Sequence, residues 1–346
     1  MIKIGIHHSK RASSYSEGWR TYCEEHNIQF KLVNAYSTNI IKELEDCDVF
    51  MWHHFHLNPK DVLFAKQLLF SLQNAGKLVY PDSLSSWHFD DKLGQKYLLE
   101  ALKLPLIPSY AFYTKTEALD WANQYQFPAV FKLRGGAGSY NVRLIKSKNE
   151  AVSVIKKAFG KGFRLYDPII DIKETIRKYH KKDAYFVDVI KAFAHLVLPY
   201  QIEKSKGREK GYVLFQEFIP DCKNDIRVQF VNDKCYAMVR NVRKNDFRAS
   251  GGGDIDYDGS KVPISAIKLS FEIANTLKMQ TLALDLVPYK DTYLIAEISY
   301  AFAIDDGELD FGYCDSDLQW HAGVINPFAW MIEDLIKRYN DKLKQG

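Results

Sequence analysis

Two aliphatic stretches near the carboxyl end of the chain decide the fold: Ala283-Leu-Asp285-Leu-Val287 and Leu294-Ile-Ala-Glu297-Ile-Ser299. Each is predicted to be a strand, and the two are predicted to pair. A carboxylate among aliphatic side chains is costly to bury unless it is paired or bound to a cation. On adjacent strands, Asp285 and Glu297 could face each other and hold Mg²⁺ through oxygen ligands. The alternative is a structural ion-pair network with three arginines, Arg227, Arg240 and Arg248.

The composition narrows the class of protein. The 346 residues include 47 Lys and Arg against 43 Asp and Glu, a net charge of +4 that is too small for a protein that mainly neutralises nucleic acid. A hydrophobic fraction of 47% with 14% aromatic residues excludes a disordered chain. No apolar run predicts a membrane span, and the N-terminus does not resemble a signal peptide. Five scattered cysteines argue against a disulfide framework, so we expect a cytoplasmic protein.

A glycine-rich turn follows Lys132 in the sequence Lys132-Leu-Arg-Gly135-Gly136-Ala-Gly138-Ser139-Tyr140. Strands on both sides predict a hairpin. A lysine beside backbone N–H groups can bind phosphate oxygens, although the loop is not a Walker A motif. The alternative is a turn that is glycine-rich for conformational reasons alone.

A second candidate strand, Phe215-Gln216-Glu217-Phe218-Ile219, precedes Asp225. The backbone of a strand beside a cleft can bind an adenine edge, and a nearby carboxylate can bind ribose hydroxyls. The alternative is an ordinary core strand with Glu217 at its solvated end.

The first ninety residues alternate strands and helices, which predicts a parallel sheet with ligand-binding loops at the carboxyl ends of its strands. The loop after the first strand contains Lys10 and Arg11 and would suit an anionic or sugar-bearing substrate, or be merely solvated. His53 and His54 follow a later strand. No carboxylate or cysteine completes a zinc site there, so these histidines are predicted to line the substrate cleft. The same prediction covers Trp87 and His88.

These features, in this order, resemble the ATP-grasp superfamily of carboxylate–amine ligases over about residues 1 to 300. The motifs that carry the resemblance are Asp91-Lys92, Lys132 with its glycine-rich flap, Gln216 to Ile219, Asp225-Ile-Arg227, Asp246-Phe-Arg248, and Asp285 with Glu297. The Asp-Ile-Arg, Asp-Phe-Arg and Gly-Gly steps are most similar to the ribosomal-protein glutamate ligase branch. The Asp-Lys helix start, the Glu-Ile-Ser strand end and the Trp320-His321 pair, taken together, also look similar to uncharacterised ATP-grasp proteins of polysaccharide biosynthesis.

The resemblance implies an α/β and α+β protein with the ATP-grasp fold. A Rossmann-like parallel-sheet domain would cover residues 1–90. A small lobe with the flap and a basic helical insertion at about 160–211 would cover 91–211. A large lobe with the metal site and a C-terminal helix would cover 212–346.

The resemblance also implies roles for individual residues. Lys92 and Lys132 would hold ATP phosphates, and the loop from Gly135 to Ser139 would close over them. Gln216 to Ile219 would bind adenine, with Asp225 on the ribose. Arg248 or Arg240 would steady the acyl-phosphate.

Asp285 and Glu297 would bind one or two Mg²⁺ ions. The family's third metal ligand is usually Asn, and here Ser299 stands in its place, which puts the second ion in doubt.

The implied reaction activates a substrate carboxylate with ATP and joins it to an amine. The predicted acid is a uronic acid of a surface polysaccharide precursor, with an amino acid or peptide as the alternative. A further alternative is a nucleotide-binding homologue without turnover. We expect no nucleic-acid partner and no membrane span, and the insertion could form a homo-oligomer contact.

Overall fold

A computed structural model describes residues 2–135, 142–165, 168–180, 185–198, 200–242, 254–304 and 306–345 of the protein. Among these residues, no helix is both long enough and apolar enough to cross a membrane. The described chain divides into two compact units. The first unit comprises residues 2–89, 223–242 and 254–345, and the second comprises residues 90–222.

The first unit begins with alternating strands and helices. They are β1 (Lys3–His7), α1 (Ser16–Glu25), β2 (Gln29–Val33), α2 (Ile40–Glu43), β3 (Val49–Met51), α3 (Pro59–Asn74), β4 (Leu78–Tyr80) and α4 (Ser83–Ser86). The strands form a four-stranded parallel sheet in the order β2-β1-β3-β4. This sheet confirms the predicted Rossmann-like start of the chain, and it brings the loops after β1 and β3 to one edge.

The second unit follows without a break. Its elements are α5 (Lys92–Ala101), β5 (Ser109–Phe112), α6 (Lys115–Gln124), β6 (Ala129–Lys132), β7 (Arg143–Ile145), α7 (Lys148–Ala158), α8 (Pro168–His180), α9 (Phe186–Ala194), α10 (Gln201–Lys206) and β8 (Val213–Glu217). The strands form an antiparallel sheet in the order β5-β8-β6-β7. Pairing of β6 with β7 confirms the predicted hairpin, and three helices lie in the predicted insertion.

The chain then completes the first unit. Its remaining elements are β9 (Asn224–Val231), β10 (Lys234–Asn241), β11 (Ile255–Asp256), α11 (Ile264–Leu277), β12 (Thr281–Tyr289), β13 (Thr292–Ser299), β14 (Tyr313–Asp315), β15 (Trp320–His321) and α12 (Pro327–Gln345). The strands form a seven-stranded antiparallel sheet, ordered β13-β12-β9-β10-β14-β15, with β11 on β10.

The two sheets of the first unit are joined by buried hydrogen bonds. The Tyr15 hydroxyl donates to the Phe302 carbonyl at 2.6 Å and accepts from the Phe302 N–H at 2.9 Å. The Tyr80 hydroxyl lies 2.9 Å from Thr281 Oγ1. These contacts place residues 2–89 in one unit with the large sheet.

The sequence predicts that the large lobe begins at residue 212 and therefore contains β8. The structure places this strand in the other sheet. It pairs with β5 and β6, so it belongs to the small-lobe sheet, and the first unit resumes at residue 223. An alternating strand pattern predicts a strand but does not specify which sheet it joins.

The segment 185–198, formed by α9 and the residues around it, exposes an unusual amount of apolar surface. Its large apolar side chains are between 46% and 83% exposed: Tyr185, Phe186, Val187, Ile190, Phe193, Leu196, Val197 and Leu198. Contiguous apolar surface of this kind is uncommon on a monomeric protein.

Candidate active site

One face of the seven-stranded sheet carries charged side chains across β13, β12, β9 and β10. Directly opposed residues on paired strands share a face. The opposed pairs are Asp225 with Arg240, Arg227 with Asp285, and Asp285 with Glu297. The other face is apolar and packs against α11, where the Phe230 and Phe271 rings meet at 5.0 Å. As the sequence predicts, Asp285 therefore lies opposite Glu297.

Asp285 takes part in a buried ion-pair network. Its two oxygens accept hydrogen bonds from Arg227 Nε at 2.7 Å and Arg227 Nη2 at 2.9 Å, and Arg240 Nη2 lies 3.0 Å from Oδ2. Arg240 also donates to both oxygens of Asp225, at 2.6 and 2.7 Å. The ion-pair interpretation of Asp285 is thus correct for its contacts in the structure, with Arg227 and Arg240 as partners.

The network shifts the pKa values of its members in opposite directions. Burial alone would raise the pKa of Asp285, but the adjacent Arg227 and Arg240 guanidiniums outweigh it and hold that pKa well below its usual range. For Asp225, burial together with the charge of Asp285 outweighs Arg240, and the pKa is raised. The pKa of Arg240 is raised although burial opposes this, because two carboxylates surround the group. Asp285 is therefore the firmly ionised carboxylate of the pair.

Asp285 and Glu297 remain suitable as ligands for Mg²⁺. Each carboxylate oxygen has two lone pairs, so hydrogen bonds from arginine do not exhaust Asp285. Mg²⁺ in phosphate-binding sites often uses only one or two carboxylates together with substrate phosphates and water. Among the described residues, no group of three or more His, Cys, Asp or Glu side chains is arranged to hold a metal. The donor set therefore fits a metal ion shared with phosphates rather than a cage made entirely by the protein.

Ser299 is committed to a local contact. Its hydroxyl donates to the Ala301 carbonyl at 2.7 Å and accepts from the Ala301 N–H at 3.2 Å. Ser299 lies opposite Ala283 in the strand register, two pairs along from the pair formed by Asp285 and Glu297. A role of Ser299 as a metal ligand would have to compete with this turn.

In the second unit, the two predicted phosphate-binding lysines belong to neighbouring segments. Lys92 is buried at the start of α5, and its backbone N–H donates to the Arg134 carbonyl at 2.9 Å. Lys132 ends β6, two residues before Arg134. A Cβ atom on Gly135 would lie 3.0 Å from an Asp90 carboxylate oxygen, so the backbone of Gly135 passes close to the end of the Asp90 side chain.

Two residues that the sequence analysis missed support this loop. The Tyr212 hydroxyl accepts from the Arg134 N–H at 2.6 Å and donates to Glu209 at 2.9 Å. Lys206 Nζ lies 3.6 Å from the carboxylate of Asp90, the residue whose side chain approaches Gly135. Lys206 comes from the end of the insertion and Tyr212 directly precedes β8, both far along the chain from the flap, and no motif in the sequence identifies them.

The predicted adenine-binding strand is tied to its neighbour β5. Gln216 is buried and donates to Ser109 Oγ at 3.1 Å, while Glu217 accepts from the Tyr110 hydroxyl at 2.8 Å. Burial and the contact with Glu217 raise the pKa of Tyr110 to about 12. Phe218 and Ile219 follow the end of β8 and are half-buried. Glu217 is therefore a bound side chain at the strand end, not a freely solvated one.

The loops after β1 and β3 bring Arg11, His53 and His54 together. His53 Nδ1 accepts from the Tyr15 N–H at 3.2 Å and lies 3.2 Å from Arg11 Nη2. Both neighbours are donors, so Nδ1 is the acceptor nitrogen of a neutral ring. Burial, with Arg11 nearby, lowers the pKa of His53 well below its usual value, and burial with Lys66 lowers the pKa of His54 to about 3.

The other predicted substrate residues lie in different surroundings. Lys10 is exposed on the same loop as Arg11. Trp87 ends α4 and is 41% exposed, whereas the adjacent His88 is fully buried. The remaining predicted site residues, Gly136, Gly138, Ser139 and Arg248, lie outside the described residues.

Residues 198–312 match a family model described as the RimK-like ATP-grasp domain. The match contains the polar sheet face, with Asp225, Asp285 and Glu297. Together with the three sheets described above, it identifies the architecture. The chain has an ATP-grasp fold. Among curated protein sequences, none matches it.

Solved ATP-grasp structures align with nearly the whole chain. A RimK-domain ATP-grasp protein from Sphaerobacter thermophilus is 12% identical, with 96% of this chain and 98% of that chain covered and a TM-score of 0.54. D-alanine–D-alanine ligase from Bacillus anthracis is 13% identical, with full coverage of both chains and a TM-score of 0.55. The ATP-grasp ligase PsnB, solved with a minimal precursor, is 11% identical, with 96% and 98% covered and a TM-score of 0.56. At these identities the likeness shows the ATP-grasp fold of this protein.

Proposed function

We propose that the protein is an ATP-dependent carboxylate–amine ligase. It would transfer the γ-phosphoryl group of ATP to a substrate carboxylate, and an amine would then displace phosphate to give an amide, with ADP and phosphate as products. The observation that carries the proposal is the opposition of Asp285 and Glu297 on a charged sheet face inside a RimK-like ATP-grasp domain. Phosphoryl transfer depends mainly on positioning and charge neutralisation, which such a face can supply.

Different residues of the chain would bind the metal ion, bind the phosphates and orient the metal ligand. Asp285 and Glu297 would hold Mg²⁺, which neutralises phosphate charge when bound. Lys92 and Lys132 would bind phosphate oxygens, with Gly135 leaving room for the loop. Arg227 is partly exposed beside Asp285 and would orient that carboxylate. The nearest described arginine to Asp225 is Arg240, which is fully engaged in the network, so Arg248 remains our preferred residue for the acyl-phosphate.

Further support comes from the ligands with which similar structures were solved. One structure of the Bacillus anthracis ligase is described as complexed with ATP, and one PsnB structure as complexed with a precursor variant, Mg and ADP. Their TM-scores to this chain are 0.55 and 0.51. An ATP and Mg²⁺ requirement is therefore the natural proposal for this protein.

For the acid, we propose a uronic acid of a surface polysaccharide precursor. An arginine, neutral histidines and aromatic rings line the edge of the N-terminal sheet, and this mixture suits a sugar carrying a carboxylate. The alternative is an amino acid or peptide, because the similar solved structures include a D-alanine–D-alanine ligase and the ligase PsnB in complex with a minimal precursor.

ADP release is the decisive measurement. Uronic acids, amino acids and short peptides are each offered with ATP, Mg²⁺ and a panel of amines. We expect ADP release with one class of acid, reduced about a hundredfold or more by Asp285→Asn, because a ligand to the charge-neutralising ion is lost. Asp233→Asn, on the exposed turn between β9 and β10, should retain wild-type turnover. Equal turnover in Asp285→Asn and wild type across the panel would contradict the proposal and favour nucleotide binding without catalysis.

A second comparison tests the phosphate-binding lysine. Lys132→Ala should abolish ATP turnover and leave the melting midpoint near that of wild type, since Lys132 ends its strand and is only half-buried. Lys146→Ala, an exposed lysine just after β7 in the same sheet, is the matched control. A collapse of the melting midpoint in Lys132→Ala would instead assign this lysine a structural role.

A further inference from the structure

Arg11 carries a positive charge in a partly buried place without an ionic partner. Its guanidinium lies 3.2 Å from His53 Nδ1 and 4.0 Å over the centre of the Phe55 ring. Neither neighbour carries a negative charge. Within the part of the chain that the structure describes, Arg11 forms no ion pair with a carboxylate.

The nearest acid does not compensate for this charge. Asp61 is buried, and its oxygens accept from the Tyr36 hydroxyl at 2.5 Å and the Phe55 N–H at 2.7 Å. It influences Arg11 only through space. A charge removed from water without a paired counter-charge is costly, so a folded protein normally supplies a partner or binds one.

Unsatisfied nitrogen atoms gather at the same edge of the N-terminal sheet. Arg11 Nε, Trp52 Nε1 and His54 Nε2 are buried and have no hydrogen-bond partner among the described residues. Arg11 belongs to the loop after β1, and the other two residues follow β3. Buried polar groups are nearly always satisfied, by protein, water or ligand. The arginine and tryptophan nitrogens can only donate, so the missing partner is rich in acceptors.

Tyr15 relates this edge to the charged sheet face of the same unit. Its backbone N–H and ring contact His53, the two rings being stacked at 3.6 Å. The charges of both Arg11 and Arg227 act on its hydroxyl. Through its hydrogen bond with Phe302, Tyr15 also connects the surroundings of Arg11 to the segment that follows β13, the strand that carries Glu297.

We propose that Arg11 is the centre of an oxyanion site, which binds a second carboxylate or a phosphate group of the acid substrate. This group is separate from the carboxylate that becomes activated. The identification of the bound molecule as a substrate rests on the proposed ligase function. The anion site itself belongs to the edge of the N-terminal sheet and does not depend on that function. It makes the acid at least a dianion, so the proposed uronic acid would carry a phosphate or a second carboxylate besides the carboxylate that is activated.

The test measures the melting midpoint by calorimetry, without nucleotide. Sodium malonate and sodium phosphate are compared with sodium chloride at equal ionic strength, up to about 100 mM, since a ligand of the folded state raises the midpoint. The variants are Arg11→Met, which keeps the side-chain length, and Lys10→Met, which removes the same charge from an exposed neighbour. We expect malonate or phosphate to raise the midpoint of wild type and Lys10→Met. In Arg11→Met the same rise should need at least about tenfold more anion.

In sodium chloride alone, Arg11→Met should melt no lower than wild type, because it removes a buried charge that lacks a carboxylate partner. Arg11→Gln is a second uncharged variant. If neither variant reaches the wild-type midpoint in chloride, Arg11 is structural and the proposal is wrong. It is equally wrong if neither anion raises the wild-type midpoint, or if the rise is the same in both Arg11 variants. A rise with malonate identifies a carboxylate site, and a rise with phosphate alone a phosphate site.

The outcome is separable from that of the ligase proposal. If ADP release is observed but the anion effect does not depend on Arg11, only the oxyanion site fails. If the anion effect depends on Arg11 but no acid supports ADP release, only the ligase proposal fails.

Discussion

At the scale of single residues, Asp285 shows that a carboxylate can belong to a structural ion-pair network and still be suitable as a metal ligand. Both of its oxygens accept hydrogen bonds from Arg227, and Arg240 bridges it to Asp225. The sequence predicts that Asp285 needs a partner, because an isolated charge among aliphatic residues would be costly. It does not identify the partner, because Arg227, Arg240 and Arg248 are equally suitable in composition and only the strand register separates them.

Arg240→Met should lower the free energy of unfolding by about 3–5 kcal/mol, because it leaves Asp225 buried without its bidentate partner. Urea denaturation measures the loss. The double variant Arg240→Met, Asp225→Leu should recover much of it. Arg20→Met is the control, since its pairs with Glu17 and Glu24 are exposed at the carboxylates and should each be worth about 1 kcal/mol or less. A similar loss in both arginine variants would contradict the network.

His54 gives a prediction for pH. Burial, Lys66 and His56 lower its pKa to about 3, while the unfolded chain has the ordinary value of 6.5. The unfolded state therefore binds a proton first, and stability that is complete above pH 6.5 is lost as the pH falls toward 3. His54→Leu should show a flatter decline between pH 6 and pH 4, by about 1.4 kcal/mol per pH unit. Urea denaturation at several pH values checks this. An unchanged slope would mean that His54 is protonated in the folded protein.

At the scale of elements, much of the candidate site followed from the sequence. The strands that carry Asp285 and Glu297 pair as predicted, and the hairpin around the glycine-rich turn is present. Short apolar runs, with glycines between two of them in the hairpin, are enough to predict both. The support given by Tyr212 to the flap could not be predicted, because it joins residues that are 78 positions apart. The sheet membership of β8 escaped prediction for the same reason, since it depends on long-range pairing.

Tyr212→Phe should raise the KM for ATP about fivefold to tenfold with a smaller effect on the melting midpoint. The change removes the acceptor of the Arg134 N–H, next to Lys132 and Gly135, and a hydrogen bond of this kind is worth about 1 kcal/mol. Steady-state kinetics measure it. Tyr113→Phe is the matched control, because that exposed hydroxyl bonds only with Tyr97 among the described residues. An unaltered KM would show that the tyrosine does not position the loop.

At the scale of the whole molecule, the described residues of the second unit lie within one range of the sequence, 90–222, whereas those of the first come from three separate segments. The second unit has its own apolar core between its sheet and the helices α6 and α7, with Phe131, Ile155 and Phe215 fully buried. In the first unit, Tyr15, Trp19 and Tyr80 find their buried partners in residues beyond 280. Independent folding is therefore expected of the second unit only.

A fragment of residues 90–222 should fold by itself and unfold cooperatively, because its core does not depend on the rest of the described chain. A fragment of residues 1–89 should not, because three buried aromatic residues would lose their hydrogen-bond partners. Circular dichroism during thermal unfolding distinguishes the two. A cooperative transition in the shorter fragment, or none in the longer one, would contradict this division.

The exposed apolar side chains of segment 185–198 affect how these experiments should be read. Dyes that fluoresce when bound to apolar surface will bind the native protein through Phe186, Val197 and their neighbours before any heating begins. A dye-based melting curve would start from a high baseline and could hide the transition. Tryptophan emission, to which the buried Trp19 and Trp52 of the first unit contribute, does not depend on a bound dye and offers a cleaner optical signal for unfolding.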